Sequence, residues 1–141
     1  IVQMLLDNGA DINAVNYDGN TALISYVGNA ADIELIEILI NNGADMDVGG
    51  MALRLAYALY DKDTEDKQVF DLLLERGANV NIQDSFLGRS ILMQAVIDEN
   101  VEMVKKLLRK GANKRLRDHN NETALMLAEY NGNSEIINLL Q

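Results

Sequence analysis

The most informative part of the sequence is the segment of residues 101–113, which reads VEMVKKLLRKGAN. Its apolar residues Val101, Val104 and Leu108 recur at helical spacing. Gly111 then stands where a helix commonly ends in a left-handed residue, which costs glycine very little. The small alanine and the asparagine that follow suit a tight turn. The segment therefore predicts a helix that ends at the glycine and leads into a turn.

The Gly-Ala pair of this segment recurs along the whole chain. With a constant spacing of 34 residues, it stands at Gly9-Ala10, Gly43-Ala44, Gly77-Ala78 and Gly111-Ala112. Each pair follows a segment rich in Leu and Ile and precedes an Asp or Asn. About a dozen residues after three of the glycines, a residue of the N-cap type opens a second apolar segment: Thr21, Ser90 and Thr123. The sequence therefore predicts a repeated unit of turn, helix, short break and helix.

A single unit of this length cannot fold alone, because its few apolar side chains return less free energy than the ordering of its backbone costs. Stacked units can bury each other's apolar faces and become stable together. Proline is absent, which favours a helical chain. The repeat therefore predicts a solenoid of helix pairs.

These residues resemble ankyrin repeats, whose unit is about 33 residues long and carries a T-P-L-H-x-A signature. The resemblance covers the whole chain and implies a single domain, 1–141, with an all-α, ankyrin-type helix-turn-helix solenoid and β-turn fingers on one side. Its repeats are 1–16, 17–48, 49–82, 83–116 and 117–141, of which the first and the last are partial and the third is divergent. The resemblance also implies binding of another protein on the concave face of fingers and inner helices.

The chain departs from the ankyrin pattern in three ways. The signature histidine is replaced in every repeat that reaches this position, by Ile24, Arg54, Met93 and Met126. The fingers also vary in length: the third is four residues shorter and is closed by Gly49-Gly50, and the fourth gains one residue around Phe86. The fifth finger has Asn121 where a left-handed glycine is expected, and asparagine is the best substitute there.

Composition excludes several other classes of protein. A length of 141 residues fits one domain, and no apolar run approaches the roughly 20 residues of a membrane helix. Because 22 acidic residues stand against 12 Lys and Arg, the formal net charge of −10 argues against unspecific binding of nucleic acid. Cysteine is absent, which excludes a disulfide scaffold, a thiol nucleophile and a zinc–thiolate site.

Both ends of the sequence are apolar, with Ile1-Val2 at the start and residues 136–140 near the end. An end repeat normally carries a polar outer face, so we expect a piece of a longer array. No signal peptide is visible, and together with the lack of cysteine this favours a cytoplasmic location. A monomer is favoured over an oligomer, and no membrane partner is expected.

A cluster of carboxylates in the third repeat suggests a cation site. Its members are Asp61, Asp63, Glu65 and Asp66. A calcium loop of the helix–loop–helix kind needs a glycine at its sixth position and a glutamate at its twelfth, where this sequence has Asp66 and Leu72. A solvated loop is the better interpretation, and we predict no metal site.

Two further features suggest catalysis or phosphate binding. His119 is the sole imidazole, but the nearest hydroxyl, Thr123, is assigned to helix capping, and no cysteine exists. Gly49-Gly50 is not followed by the Gly-Lys-Ser/Thr of a phosphate loop. We therefore predict no catalytic residue, no cofactor and no enzymatic activity.

Charge is distributed unevenly along the chain. Residues 1–100 hold 17 acidic and 5 basic side chains, whereas residues 101–141 hold 5 acidic and 7 basic ones. All seven basic residues lie between Lys105 and Arg117. Cations near a helix end complement its dipole, but this does not account for the three beyond Gly111. The alternatives are a basic patch for an acidic partner and a contact with the acidic repeats of the same chain.

The leading hypothesis is a non-catalytic module that binds a protein or peptide through residues that the repeat leaves free of core packing. These are Tyr17, Asp18, Asn20, Asn29, Arg54, Phe86, Leu87, Arg89, Asp98, Arg117, His119, Glu122 and Tyr130. The apolar pair Phe86-Leu87 either folds back on a neighbouring finger or anchors a partner, and the same choice applies to Tyr17. The alternative function is a structural spacer or cap in a longer chain that carries an enzymatic or effector domain elsewhere.

Overall fold

The computed structural model describes residues 2–29, 32–48, 51–60 and 66–141. Within these ranges every regular element is an α-helix, and the only bridge between extended residues pairs Gln83 with Ser90. The all-α prediction is confirmed. The chain forms two compact units, residues 1–79 and residues 80–141.

In its described residues the first unit contains five helices. They are α1 (Val2–Asp7), α2 (Ala22–Asn29), α3 (Ile33–Asn41), α4 (Met51–Ala58) and α5 (Asp66–Glu75). α2 packs against both α3 and α4, and α5 packs against α4 and touches α3. α2 and α4, the first helices of successive repeats, therefore pack together in one row, and the second helices α3 and α5 form a second row.

Aromatic and branched side chains fill the core of the first unit. Leu23, Ile36 and Phe70 are fully buried. The ring of Phe70 lies 6.0 Å from that of Tyr57 and 5.5 Å from that of Tyr60, centroid to centroid, in tilted and edge-on arrangements that aromatic rings prefer. This cluster joins α4 to α5.

The second unit contains four helices in the described residues. They are α6 (Ile91–Ile97), α7 (Val101–Arg109), α8 (Ala124–Asn131) and α9 (Ser134–Leu140). α6 packs against α7 and α8, and α9 packs against α7 and α8, so the two helix pairs share one core. Leu92, Met93, Val96, Leu107 and Ile136 are almost wholly buried there.

The helix ends lie where the sequence predicts them. The four glycines of the Gly-Ala pairs have φ values of 83° to 90°, in the left-handed region that a non-glycine residue adopts only at a cost. Asn121 has a φ of 67°, as expected for a substitute for glycine. Glycine is therefore required at each outer-helix end.

The predicted N-caps are confirmed as well. The hydroxyls of Thr21, Ser90 and Thr123 accept hydrogen bonds from backbone amides three residues later, at 3.3, 3.3 and 3.4 Å. At α6 the Met93 sulfur accepts a bond from the Ser90 amide at 3.5 Å. Methionine in place of the signature histidine thus completes a capping box within α6.

At three points of the described chain, a polar side chain near a finger forms hydrogen bonds to the backbone of the next repeat. The Asn13 carbonyl oxygen accepts from the Asp45 amide at 2.8 Å, and its amide nitrogen donates to the Gly43 carbonyl at 3.4 Å. Asn81 makes the same two bonds, to Asn113 at 2.7 Å and to Gly111 at 3.4 Å. We call each such link a rung.

Asp47, which lies between Asn13 and Asn81 in the sequence, forms the third rung. Its carboxylate accepts from the Asn79 amide at 2.9 Å, but it has no donor for the carbonyl of Gly77. This rung therefore has one hydrogen bond where the other two have two.

Asp61, Asp63 and Glu65 of the predicted loop and the glycine pair Gly49-Gly50 lie outside the described residues, whereas Asp66, the fourth carboxylate of that loop, is instead the first residue of α5. No helix in the part of the chain that the structure describes is long and apolar enough to cross a membrane.

Candidate functional site

The fourth finger is organised around one carboxylate. Asp84 accepts hydrogen bonds from the backbone amides of Phe86, Leu87 and Arg89 at 2.9, 2.6 and 2.9 Å. Three amides on one carboxylate hold the turn in a single conformation, since bonds to an ionised acceptor are stronger than neutral ones. The position of Phe86 at the tip is thereby defined by the backbone.

The fifth finger uses Asp118 in the same way. Its carboxylate accepts from the amides of Asn120 and Glu122 at 2.9 and 3.0 Å. The second oxygen lies 3.6 Å from Nε of Arg89 in an ion pair whose aspartate side chain is fully buried. Arg89 therefore connects the fourth finger to the fifth.

Further hydrogen bonds join these two fingers, which we call the finger pair (residues 83–90 and 117–122). The amide of His119 donates to the Leu87 carbonyl at 2.9 Å, and its Nδ1 lies 3.2 Å from the Phe86 carbonyl. Gln83 donates from its side chain to the carbonyls of Arg117, at 2.7 Å, and Gly88. The finger pair is thus cross-linked through both backbone and side chains.

Glycine is required at the centre of the finger pair. Gly88 has a φ of 68°, and a Cβ there would lie 2.8 Å from Nε2 and 3.0 Å from the backbone nitrogen of His119. The imidazole therefore lies directly over the glycine. Gly19, at the matching turn of the first unit, has a φ of 78° and open space around the position of a Cβ.

The side chain of Phe86 projects from the hydrogen-bonded finger pair into solvent. Its side chain is 85% exposed, and that of the adjacent Leu87 is 37% exposed. The interpretation that Phe86 folds back on a neighbouring finger is therefore wrong, because its ring packs against little of the chain. Tyr17 in the first unit is wholly exposed, and Tyr130 on α8 is 93% exposed.

The structure brings six of the predicted residues into the finger pair and leaves the others elsewhere. Those in the finger pair are Phe86, Leu87, Arg89, Arg117, His119 and Glu122. The Arg117 guanidinium donates to the Asn121 carbonyl at 2.6 Å, within its own turn, and Glu122 is half-buried.

The remaining predicted residues lie in both units. Asp18 and Asn20 are in the finger of Tyr17, where their amides donate to the Asn16 side chain at 2.9 and 3.0 Å. Asp98 caps the end of α6 and accepts from Gln94 at 2.9 Å.

Two more predicted residues lie on inner helices of the first unit. Arg54 is half-buried on α4, and the backbone of Asn29 ends α2. The side chain of Asn29 lies outside the described residues.

Sequence reasoning missed Gln83, Asp84 and Asp118, which build the finger pair. The repeat contains a signal for them, because Asp84 and Asp118 are 34 residues apart and Gln83 and Arg117 are as well. A polar side chain that recurs at the repeat spacing just before a finger tip indicates a turn that it stabilises.

Lys105 on α7 is neutralised inside the second unit. Its Nζ lies 2.8 Å from Glu135 and 3.3 Å from Glu102. The hydrogen bond to Glu135, and then that to Glu102, raises the pKa of Lys105 above its ordinary value of 10.5. Within the basic segment, Lys105 therefore joins α7 to α9 through its ion pair with Glu135.

The first unit has an open apolar groove of about 540 Å³ between α1, α2 and α3. It is lined mainly by Val2, Tyr26, Leu35 and Ile38. In the described part of the chain no group of three or more potential ligand side chains could hold a metal ion.

Comparison with known families identifies the class of protein. The family described as ankyrin repeats (3 copies) matches residues 1–84 and 55–141, which together span the whole chain. The chain therefore belongs to the ankyrin repeat family, and the predicted helix-turn-helix solenoid is confirmed. Members of this family are generally protein–protein interaction modules and generally non-catalytic. No curated protein matches the chain.

Proposed function

We propose that this chain is a non-catalytic module that binds a protein or peptide partner through its fingers and inner helices. The observation that carries the proposal is the 85% exposure of Phe86 at the tip of a finger whose backbone is held by Asp84 and His119. Aromatic side chains that become buried on binding dominate the free energy of many protein interfaces.

The rigidity of the base supports this role. Ordering a loop on binding costs free energy, and a loop that is already ordered avoids that cost. The Asp84 carboxylate, the Arg89–Asp118 ion pair and the His119 contacts order the finger pair before any partner arrives. Phe86 also adds little to the core, so an interaction with a partner is the better account of its position.

The other exposed aromatics extend the proposed surface within each unit. Tyr130 on the inner helix α8 belongs to the second unit, and Tyr17 lies beside Asp18 and Asn20 in the first. Tyrosine combines a large apolar face with a hydroxyl and suits binding surfaces for that reason. We propose these residues as secondary contacts of the same kind.

Selection of peptides from a random library displayed on phage, with the full chain as bait, tests the proposal. We expect saturable binders, most of which lose at least about tenfold in affinity on Phe86→Ala, since a buried aromatic contributes about 2 kcal/mol or more. Asn138→Ala is the matched control, because Asn138 is exposed on the outer helix α9.

Two results would contradict the proposal. One is a set of selected peptides that is insensitive to Phe86→Ala, Tyr130→Ala and Tyr17→Ala but lost on Asn138→Ala. The other is a library from which no peptide binds above background. Circular dichroism of each variant, compared with the wild type, excludes unfolding as the cause of a loss.

A further inference from the structure

The second unit carries several cations that its own carboxylates do not neutralise. Within the described residues, no carboxylate lies at ion-pair distance from Arg109, Lys110, Lys114 or Arg115. Arg109, Lys110 and Arg115 are exposed, and Lys114 is half-buried. Lys105 differs from them, because it is paired with two glutamates.

The carboxylates of the finger pair point inward instead. Asp84 accepts three backbone amides, and Asp118 accepts two amides, faces Arg89 and is only 5% exposed. Glu122, which is half-buried, is the one further carboxylate of the finger pair. Asp84 and Asp118 therefore do not offset the cations of residues 109–117, and the exposed carboxylates Asp98, Glu99 and Glu129 lie outside this segment and the finger pair.

Lys114 and Arg115 directly precede the fifth finger, which is hydrogen-bonded to the finger of Phe86. Lys114 is three residues before Arg117, and an extended chain spans at most about 11 Å over that distance. Arg117 belongs to the same turn as His119, whose Nδ1 lies 3.2 Å from the Phe86 carbonyl. One short peptide can therefore reach the aromatic ring and these positive charges together.

We infer that the finger pair binds an acidic peptide segment that carries at least one apolar side chain. The apolar side chain packs on Phe86 and Leu87, and the acidic residues beside it face Lys114, Arg115 and Arg117. Complementary charge speeds association and selects the partner, while the aromatic contact supplies most of the affinity. This inference rests on the proposed function and specifies the chemistry of its partner.

The charge of the whole chain favours a short acidic peptide over nucleic acid. The first unit has 14 acidic and 4 basic side chains, and the chain carries a net charge of −10. A long polyanion is repelled by that field, whereas a peptide of a dozen residues binds through local charges that salt screens only partly. An apolar side chain is also absent from a phosphate backbone.

Fluorescence anisotropy with a labelled twelve-residue peptide tests the inference. The probe contains six glutamates around a central Leu-Phe pair, and a second peptide replaces every glutamate by glutamine. We expect the acidic peptide to bind at least about tenfold more tightly than the glutamine peptide at low salt, and the difference to shrink at 0.5 M salt. A twelve-nucleotide single-stranded DNA is the third probe.

Two variants with the same change of charge locate the site. Arg115→Glu reverses an exposed cation two residues before the fifth finger, and Lys67→Glu reverses an exposed cation on α5 of the first unit. We expect Arg115→Glu to weaken the acidic peptide at least about fivefold and Lys67→Glu to leave its affinity within twofold. Phe86→Ala should weaken both peptides.

Three outcomes would overturn the inference: equal binding of the acidic and glutamine peptides, equal effects of the two charge reversals, or tighter binding of the DNA with loss on Arg115→Glu. Equal peptide binding that is still lost on Phe86→Ala would leave the proposed protein-binding function intact. The experiment therefore distinguishes failure of the acidic-peptide inference from failure of the proposed protein-binding function.

Discussion

Each unit of the chain contains one phenylalanine, and the two are used in opposite ways. Phe70 in the first unit is fully buried and packs against Tyr57 and Tyr60. Phe86 in the second unit is 85% exposed above a network of hydrogen bonds. Residue type alone does not distinguish them, but the repeat position does, because Phe70 lies in an outer helix and Phe86 at a finger tip.

The fingers of the two units also differ in the contacts that stabilise their turns. The first unit's turn at residues 16–20 is stabilised by its own Asn16, whose side chain accepts two amides within the turn. The second unit's turns are stabilised internally and are also bonded to each other through His119, Gln83 and Arg89. The finger of Phe86 is thus bonded to a neighbouring finger, and ordering of this kind before binding is what a preorganised binding surface requires.

The largest expected difference is between the two phenylalanines. Phe70→Ala should lower the free energy of unfolding by about 3–5 kcal/mol, because it leaves a cavity in a packed core. Phe86→Ala should change it by less than about 0.5 kcal/mol, as at most exposed sites. Urea unfolding followed by circular dichroism measures both. If the two variants are equally destabilised, Phe86 is a core residue and the proposed site is wrong.

The second-largest expected difference is in the stability lost on replacing the finger-turn glycines Gly19 and Gly88 by alanine. Gly19→Ala should cost about 1–2 kcal/mol for the left-handed conformation alone. Gly88→Ala should cost about 1–2 kcal/mol more, since its Cβ meets His119. Thermal unfolding of both variants tests this order.

The double variant Gly88→Ala/His119→Ala provides the control for the contact. It removes the clash with the ring but leaves the close approach to the His119 backbone nitrogen at 3.0 Å. We expect part of the lost stability to return. Equal costs at Gly19 and Gly88 would show that the imidazole does not lie over the glycine.

Completing the rung at Asp47 should give a smaller effect, which is stabilising. Asp47→Asn gives this position a donor for the Gly77 carbonyl, as Asn13 has for Gly43 and Asn81 for Gly111. One added hydrogen bond should raise the free energy of unfolding by about 0.5–1.5 kcal/mol. The reverse change, Asn81→Asp, should lower it by a similar amount.

Asp18→Asn is the matched control for charge, because it removes one carboxylate from an exposed position of the same unit. If Asp18→Asn and Asp47→Asn stabilise the chain equally, the gain comes from reduced repulsion and not from a completed rung. Urea midpoints of the three variants, measured at the same ionic strength, decide between these causes.

The smallest effect concerns Lys105, whose pKa is raised by hydrogen bonds to Glu135 and Glu102. Because the folded pKa exceeds 10.5, this contribution to stability is complete below pH 10.5 and is lost as pH rises through the folded pKa. NMR titration of the Lys105 side chain measures the pKa, and Glu135→Gln should lower it. A pKa at or below 10.5 in the folded wild type would contradict the ion pair.

Local signals in the sequence predicted most of the fold. Gly43, Gly77 and Gly111 end helices, and Ser90 and Thr123 begin them, because capping depends on a few neighbouring residues. The 34-residue spacing then predicted how the helices pair. The family match confirms the ankyrin-type solenoid that this spacing suggested.

The candidate site was less predictable. The sequence singled out Phe86, Arg89 and His119 as separate residues, but their mutual contacts cross from one repeat to the next. The ion pair of Arg89 with buried Asp118 depends on the positions of both fingers. No local sequence pattern distinguishes an arginine that forms an ion pair with the next finger from one that is exposed for binding a partner.

The sequence by itself determined the repeating helix pairs of this protein, since glycine, N-cap residues and apolar periodicity act over a few residues. It also determined the charge of each segment. Only the tertiary structure decided that Arg89 pairs with buried Asp118 and that Gln83 and His119 form hydrogen bonds between the two fingers, because those contacts join residues about 30 positions apart. The exposure of Phe86 was decided there too, since burial depends on what the folded chain places around a side chain.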